Sequence, residues 1–261
     1  MSAGAFVGAQ LATVLGQPPT PWLLAAVAVA FLLGGVVKGL LGVGLPLVAM
    51  PLLALLIPSP KAIALMALPI LLSNVWQAAD GGHARAALRR FAWLLVPMMV
   101  ATLVAVRLTL TMPEPTLRAT VAAALLVAVA LMAWNPRLDI DARGERRWGV
   151  AVGLASGLMG GASSLMGPLL IAYLTALRLD RETFVGSISV IYLAGAVPLF
   201  GAMALAGVLS LPEVVLSALG LAPMALGMTI GRAARRHVSE AKFRRLLLAF
   251  LVTVAISLVV R

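Results

Sequence analysis

The stretch Gly35-Val-Val-Lys-Gly-Leu-Leu-Gly-Val-Gly44 joins two short apolar runs, Pro21–Val37 and Leu45–Ile57. A second glycine-rich stretch, Gly-Leu-Ala-Ser-Gly-Leu-Met-Gly-Gly-Ala at 153–162, likewise joins Trp148–Met159 to Leu165–Leu177. Glycine is a poor helix former, so each stretch predicts a break between two short apolar helices. We place the breaks at Gly39–Pro46 and Gly160–Pro168.

The two stretches also align with each other. Three glycines of the first stretch have the spacing of three in the second: Gly35, Gly39 and Gly42 against Gly153, Gly157 and Gly160. A proline follows in each half, Pro51 and Pro168, at offsets that differ by one residue. Glycines four apart often mark only close helix packing. Their recurrence at corresponding places predicts an internal repeat.

The composition predicts an integral membrane protein. Of 261 residues, 62% are apolar and 11% are charged, against about 45–50% and about 25% in a soluble domain. A membrane span needs about 20 apolar residues. Six longer runs satisfy or approach that length: Ala62–Ala79, Ala92–Val106, Leu117–Trp134, Phe184–Ala206, Val214–Ile230 and Leu246–Val260. With the four short pieces, they predict an all-α protein with about five helical segments in each half.

The net charge of +11 is interpreted as a signal of membrane topology, and no nucleic-acid partner is predicted. Lys and Arg accumulate in cytoplasmic loops. The basic residues cluster in three loops: Arg85, Arg89 and Arg90; Arg137, Arg143, Arg146 and Arg147; Arg232, Arg235, Arg236, Lys242, Arg244 and Arg245. If these loops face the cytoplasm, both termini lie outside. Because each half has an odd number of segments, the second half is predicted to run inverted.

These boundaries divide the chain into four parts. They are an outer tail at 1–20, a first repeat at 21–136, a cytoplasmic linker at 137–147 and a second repeat at 148–261.

The acids, cysteines and histidines limit the chemistry. The chain has no cysteine and two histidines, so neither a metal site nor a cofactor is predicted. The nine acids all lie at or beyond the ends of the apolar segments. Carriers of protons or sodium commonly use Asp or Glu within the membrane. The polarity available at depth is therefore positive or neutral, which suits an anion.

The breaks are the predicted substrate site. Helix N-termini attract anions, and glycine lets a ligand approach the backbone closely. Lys38 could pair with the anion or extend to the membrane surface, and the glycines could instead serve only helix packing. The predicted substrate-binding residues are Lys38, Gly39, Gly42, Gly44, Asn74, Gln77, Gly157, Gly160, Ser163 and Ser164.

Two later helices carry polar residues that could serve the same role. Asn74 and Gln77 share one helix face and are assigned to the cavity. Ser187, Ser189 and Tyr192 lie on the corresponding helix of the second half. For those serines, hydrogen bonding between helices is the favoured interpretation.

Both glycine-rich stretches resemble the signatures of the TauE/SafE family, over nearly the whole chain. The resemblance implies a permease that moves sulfite, sulfonates or related sulfur oxyanions, usually outward across the bacterial inner membrane. It carries the family's functional region onto Gly39, Gly42, Gly44, Gly157 and Gly160. The sequence departs from the family pattern in both signatures. Members commonly have further glycines where this chain has Leu45-Pro46 in the first signature, and the second signature has Ala162, Ser163 and Ser164 here.

The sequence therefore predicts an anion permease that works by alternating access, not an enzyme. Its partners are a small anionic substrate and the lipid bilayer, and no oligomeric state is favoured. The alternative is a membrane-embedded enzyme acting on a lipid phosphate, for which Asp80 and His83 are the local acid–base candidates. A purely structural subunit would not need two matched breaks.

Overall fold

The computed structural model describes residues 10–80, 84–134, 140–235, 237 and 239–260, and it is helical throughout these ranges apart from short joints. In these ranges, a short helical segment at 10–15 precedes thirteen helices. These are α1 Pro21–Leu41, α2 Leu45–Leu56, α3 Ser59–Leu65, α4 Ala67–Asp80, α5 Ala84–Arg90, α6 Ala92–Thr111, α7 Glu114–Trp134, α8 Ala142–Ser163, α9 Gly167–Ala176, α10 Arg181–Leu205, α11 Leu211–Leu219, α12 Leu221–Ala234 and α13 Glu240–Val260.

Within the described residues, six stretches are long and apolar enough to cross a membrane: Pro21–Leu41, Ser59–Ala79, Ala92–Thr111, Glu114–Trp134, Glu182–Leu205 and Leu211–Ala234. Shorter apolar helices cover Leu45–Leu56, Gly167–Ala176 and Arg245–Leu258. Many large apolar side chains on the spanning helices are exposed, as a lipid-facing surface requires. The predicted all-α membrane class is confirmed.

Both predicted helix breaks are confirmed, although they are shorter than expected. α1 ends at Leu41, and the Gly42 N–H donates to the Lys38 carbonyl at 2.8 Å, with φ 81° at Gly42. α8 ends at Ser163, and the Ser164 N–H donates to the Gly160 carbonyl at 2.7 Å, with φ 62° at Ser164. Each helix thus closes with one residue in the left-handed conformation, a common helix terminus.

The second break lies one helical turn later than the glycine alignment predicts. Gly160, which was aligned with Gly42, lies inside α8, and Ser164 occupies the place equivalent to Gly42. The prolines change in the same way. Pro46 and Pro168 both stand second in the helix that follows a break, whereas Pro51 lies inside α2. The pairing of Pro51 with Pro168 and the non-helical stretch from Gly160 are therefore wrong.

The glycines four residues apart bring helices from opposite halves into backbone contact. α1 packs along α12, and α8 packs along α6. A Cβ at Gly35 or Gly39 would lie 2.3 or 2.4 Å from a carbonyl oxygen of α12. A Cβ at Gly153 or Gly157 would lie 2.4 or 2.3 Å from a carbonyl oxygen of α6. A side chain at any of these glycines would force the paired helices apart.

The remaining contacts follow the same pairing. α4 packs against α10, and α7 packs against α13. α2 contacts α13, and the equivalent helix of the second half, α9, contacts α7. These helix pairs of one half thus have equivalents in the other half.

Two segments predicted to lie outside the repeats pack with the helices. Residues 142–147, assigned to a linker, form the first turns of α8, where the Asp141 carboxylate accepts the Gly144 N–H at 2.7 Å. In the N-terminal tail, Val14 and Leu15 are fully buried. Gln17 donates from Nε2 to the Leu56 carbonyl at 2.7 Å. The end of the tail thus packs on the protein.

Candidate anion site

A buried lysine stands at the end of α1. Lys38 is 3% exposed, and its Nζ donates to Asn74 Oδ1 at 3.1 Å. Asn74 is oriented by its own Nδ2, which donates to the Ile70 carbonyl at 2.8 Å. The Lys38 ammonium therefore lies inside the protein, between α1 and α4, and does not extend to the surface.

The two helix breaks meet beside this lysine. A small cavity of about 10 Å³ is bounded by Lys38 and Asn74, by Gly44 of the first break and by Ser164 of the second, a volume that fits about one water molecule. Its other lining residues are Leu45, Pro46, Ile70, Met166, Tyr192, Ala196, Leu199 and Phe200. The helices α2 and α9 both begin at this cavity, so two positive helix ends lie near the ammonium.

Ser164 adds an unsatisfied donor to the cavity. It is 1% exposed, and its Oγ has no hydrogen-bond partner among the described residues. A left-handed conformation costs a non-glycine residue about 1–2 kcal/mol. A lysine ammonium has three N–H donors, and the bond to Asn74 is the one that Lys38 forms within the described part of the chain. The cavity thus holds more donors than acceptors.

A larger cavity of about 510 Å³, which we call the vestibule, adjoins the small one. Lys38 lines both, so it lies between them. The vestibule is lined by Lys38, Gly39, Leu41, Gly42, Trp76, Gln77, Glu182, Val185, Gly186, Met228, Arg232 and Arg235. Three cations against one acid give it a positive field, which concentrates anions.

Hydrogen bonds fix the wall between vestibule and cavity. Gln77 Nε2 donates to the Gly42 carbonyl at 3.0 Å, and Ser189 Oγ donates to Gln77 Oε1 at 3.4 Å. Asp180 caps α10 by accepting the Thr183 N–H at 3.0 Å. That hydrogen bonding lowers the pKa of the Asp180 carboxyl. Through Gln77 and Ser189, the first break is held against α4 and α10.

The structure brings seven of the ten predicted site residues to these cavities. Lys38, Gly44, Asn74 and Ser164 line the small cavity, and Lys38, Gly39, Gly42 and Gln77 line the vestibule.

The other three predicted residues lie elsewhere. Gly157 packs against α6, and a Cβ at Gly160 would lie 2.6 Å from the Met166 methyl carbon. Ser163 donates from Oγ to the Met159 carbonyl at 2.6 Å.

The predicted site omits four polar lining residues: Tyr192, Glu182, Arg232 and Arg235. Arg232 and Arg235 were assigned to topology alone, yet they face the vestibule. Tyr192 was grouped with serines that join helices, yet it lines the small cavity and its hydroxyl lies against Gly167. Tyr192 lies on α10, the helix that corresponds to α4, and that position was the sequence signal for a place in the cavity.

Interrupted helices that enclose a polar cavity within a bundle of spanning helices define a multi-pass membrane transporter architecture. The model of the sulfite exporter TauE/SafE family matches residues 26–258, and the chain belongs to that family. No curated protein and no solved structure matches the chain. The family resemblance is confirmed, and the lipid-phosphate enzyme gains no support. The acid–base candidates for that enzyme, His83 and the side chain of Asp80, lie outside the described residues.

Proposed function

We propose that the protein exports a small anion, sulfite or an organosulfonate, across the bacterial inner membrane by alternating access. The observation that carries the proposal is the buried Lys38 ammonium at the meeting point of the two helix breaks.

The charge of the site favours an anion. A buried ammonium is stable when it is paired with an opposite charge, and Asn74 supplies only a neutral oxygen. An anion bound when the small cavity widens towards the vestibule would provide the missing charge. The free Ser164 hydroxyl and the N-terminal ends of α2 and α9 would donate to its oxygens.

The paired contacts between halves support an inverted repeat. α1 with α12, and α8 with α6, are equivalent pairs, each formed by one helix from either half. Two such units could rock against each other around a fixed site, as in transporters built from inverted repeats. In this conformation the vestibule leads to Lys38 from the side of Arg232 and Arg235.

The basic clusters give the proposed direction. Arg-rich loops favour the cytoplasmic side, so the vestibule would open inward and collect anions from the cytoplasm. The membrane potential, negative inside, would then drive a charged substrate outward by about 2.3 kcal/mol per charge at 100 mV. No intramembrane carboxylate is needed for this coupling.

Proteoliposomes loaded with radiolabelled sulfite would test the proposal. We expect saturable efflux that is faster with an inside-negative potential and is slowed by unlabelled sulfite or taurine. Empty liposomes and liposomes loaded with labelled glycerol are the controls. Sulfite and organosulfonate efflux no faster than from empty liposomes would refute the proposal, as would equal efflux of glycerol.

A further inference from the structure

A second buried polar site lies at the opposite end of the bundle from the vestibule. Lys61 Nζ on α3 lies 2.5 Å from Glu213 Oε1 on α11. The Glu213 side chain is 1% exposed and that of Lys61 is 24% exposed. The other Glu213 oxygen accepts the Ser210 backbone N–H at 2.9 Å. This ion pair joins a helix of the first half to a helix of the second.

A second contact binds the same two halves one turn further along α11. Ser217 Oγ donates to the Leu65 carbonyl at 2.8 Å and accepts the Leu68 N–H at 3.0 Å. These backbone groups lie where α3 ends and α4 begins. Ser217 follows Glu213 by four residues, so both side chains lie on one face of α11. That face holds the joint between α3 and α4 in place.

Closely packed apolar side chains separate this contact from the lysine cavity. Met66, at the joint, and Phe31, which lies against Gly220, are fully buried. Phe200 is 4% exposed and lines the cavity from that side. Lys61 and Asn74 are thirteen residues apart, about 20 Å of helix. The bundle is therefore closed at the Lys61 end and open at the vestibule end.

We propose that the Lys61–Glu213 pair is the latch of a gate that closes this end while the vestibule is open. The inference rests on the proposed alternating access. A charge that loses its partner while buried is strongly destabilising. The pair separates only when the end opens, because water then solvates both charges. The ion pair thus stabilises the closed state of this end until α3 and α11 move apart.

The absence of cysteine gives a clean background for the test. A single Met66→Cys reporter is expected to react slowly with a charged, membrane-impermeant thiol reagent. Adding Lys61→Met is expected to raise that rate about tenfold, which corresponds to about 1.4 kcal/mol between the closed and open states. Lys61→Arg keeps the charge and should react like the parent. The measurement uses no anion, so its result does not depend on sulfite transport.

Two controls make the test decisive. Arg90→Met removes an ion pair between α5 and α8, in which Arg90 Nε lies 2.7 Å from Glu145 Oε1, and should leave the reporter rate unchanged. Ile191→Cys, on α10 and fully buried in an apolar cluster separate from the one that contains Met66, reports general loosening and should stay unreactive. The latch is refuted if Lys61→Met leaves the Met66→Cys rate at the parental value. A parallel rise at Ile191→Cys would also refute it, since the pair would then stabilise the whole fold.

Discussion

Replacing Lys38 by methionine removes the charge from the proposed site while keeping an unbranched side chain of similar length. Lys38 is 3% exposed and bonds only to Asn74 within the described residues. The substitution therefore deletes the one ammonium of the small cavity and leaves its helix frame intact.

The expected loss of affinity follows from the hydrogen bonds that a charged group makes. Such a bond contributes about 1.5–3 kcal/mol, which corresponds to about a 10- to 150-fold weaker Kd for sulfite. Stability should respond differently. Burying a methionine in place of an ammonium removes a desolvation cost. Asn74 Oδ1 loses its donor, which costs about 1–3 kcal/mol. These effects oppose each other, so thermal stability should change little.

Equilibrium binding of labelled sulfite to purified protein, with the melting temperature measured in parallel, tests both expectations. Lys38→Arg keeps the charge in a larger group and should bind better than Lys38→Met. Arg107→Gln removes an exposed cation from α6 and should bind like the parent. If Lys38→Met binds sulfite with the parental Kd, Lys38 is not part of the site and the reasoning is wrong.

Three further predictions test the helix packing, the second break and the vestibule. Gly157→Ala should lower the free energy of unfolding by about 1–3 kcal/mol, because its Cβ would meet an α6 carbonyl at 2.3 Å. Gly201→Ala, with open space around it, should not destabilise in the same denaturation assay. Ser164→Gly should raise the free energy of unfolding by about 1 kcal/mol by relieving the left-handed conformation. The same variant should bind sulfite more weakly, and an unchanged Kd would show that the Ser164 hydroxyl does not contact the anion. Arg232→Gln should slow sulfite transport at low salt and have little effect at high salt, and a deficit independent of salt would contradict a steering role.

The helix breaks and the lysine between them could be predicted because their signals are local. A glycine-rich interruption in an apolar run changes helix propensity within a few residues. Lys38 stands out because it is a charge within such a run. Asn74 and Gln77 followed from helix periodicity, which places residues three apart on one face.

The partners of those residues depended on long-range packing. The same spacing brings Gly39 against α12, beside the vestibule, and Gly157 against α6, away from both cavities. Spacing along one helix cannot distinguish these environments. The burial of Glu213 was hidden for a similar reason. It stands in the first turn of α11, as predicted for an acid at a segment end, but its partner Lys61 is 152 residues away.

The two halves share a frame but differ in charge, and this difference bears on the transport cycle. Between Gly153 and Gly157, at the place equivalent to Lys38, the second half has the buried Ser156. The ammonium therefore belongs to the α1–α12 unit, while Ser164 ends α8 and belongs to the α6–α8 unit. In the proposed cycle, rocking of one unit against the other separates Lys38 from Ser164. A site that needs both groups is then complete in one state and divided in the other, so the divided state has the lower affinity for the anion and releases it.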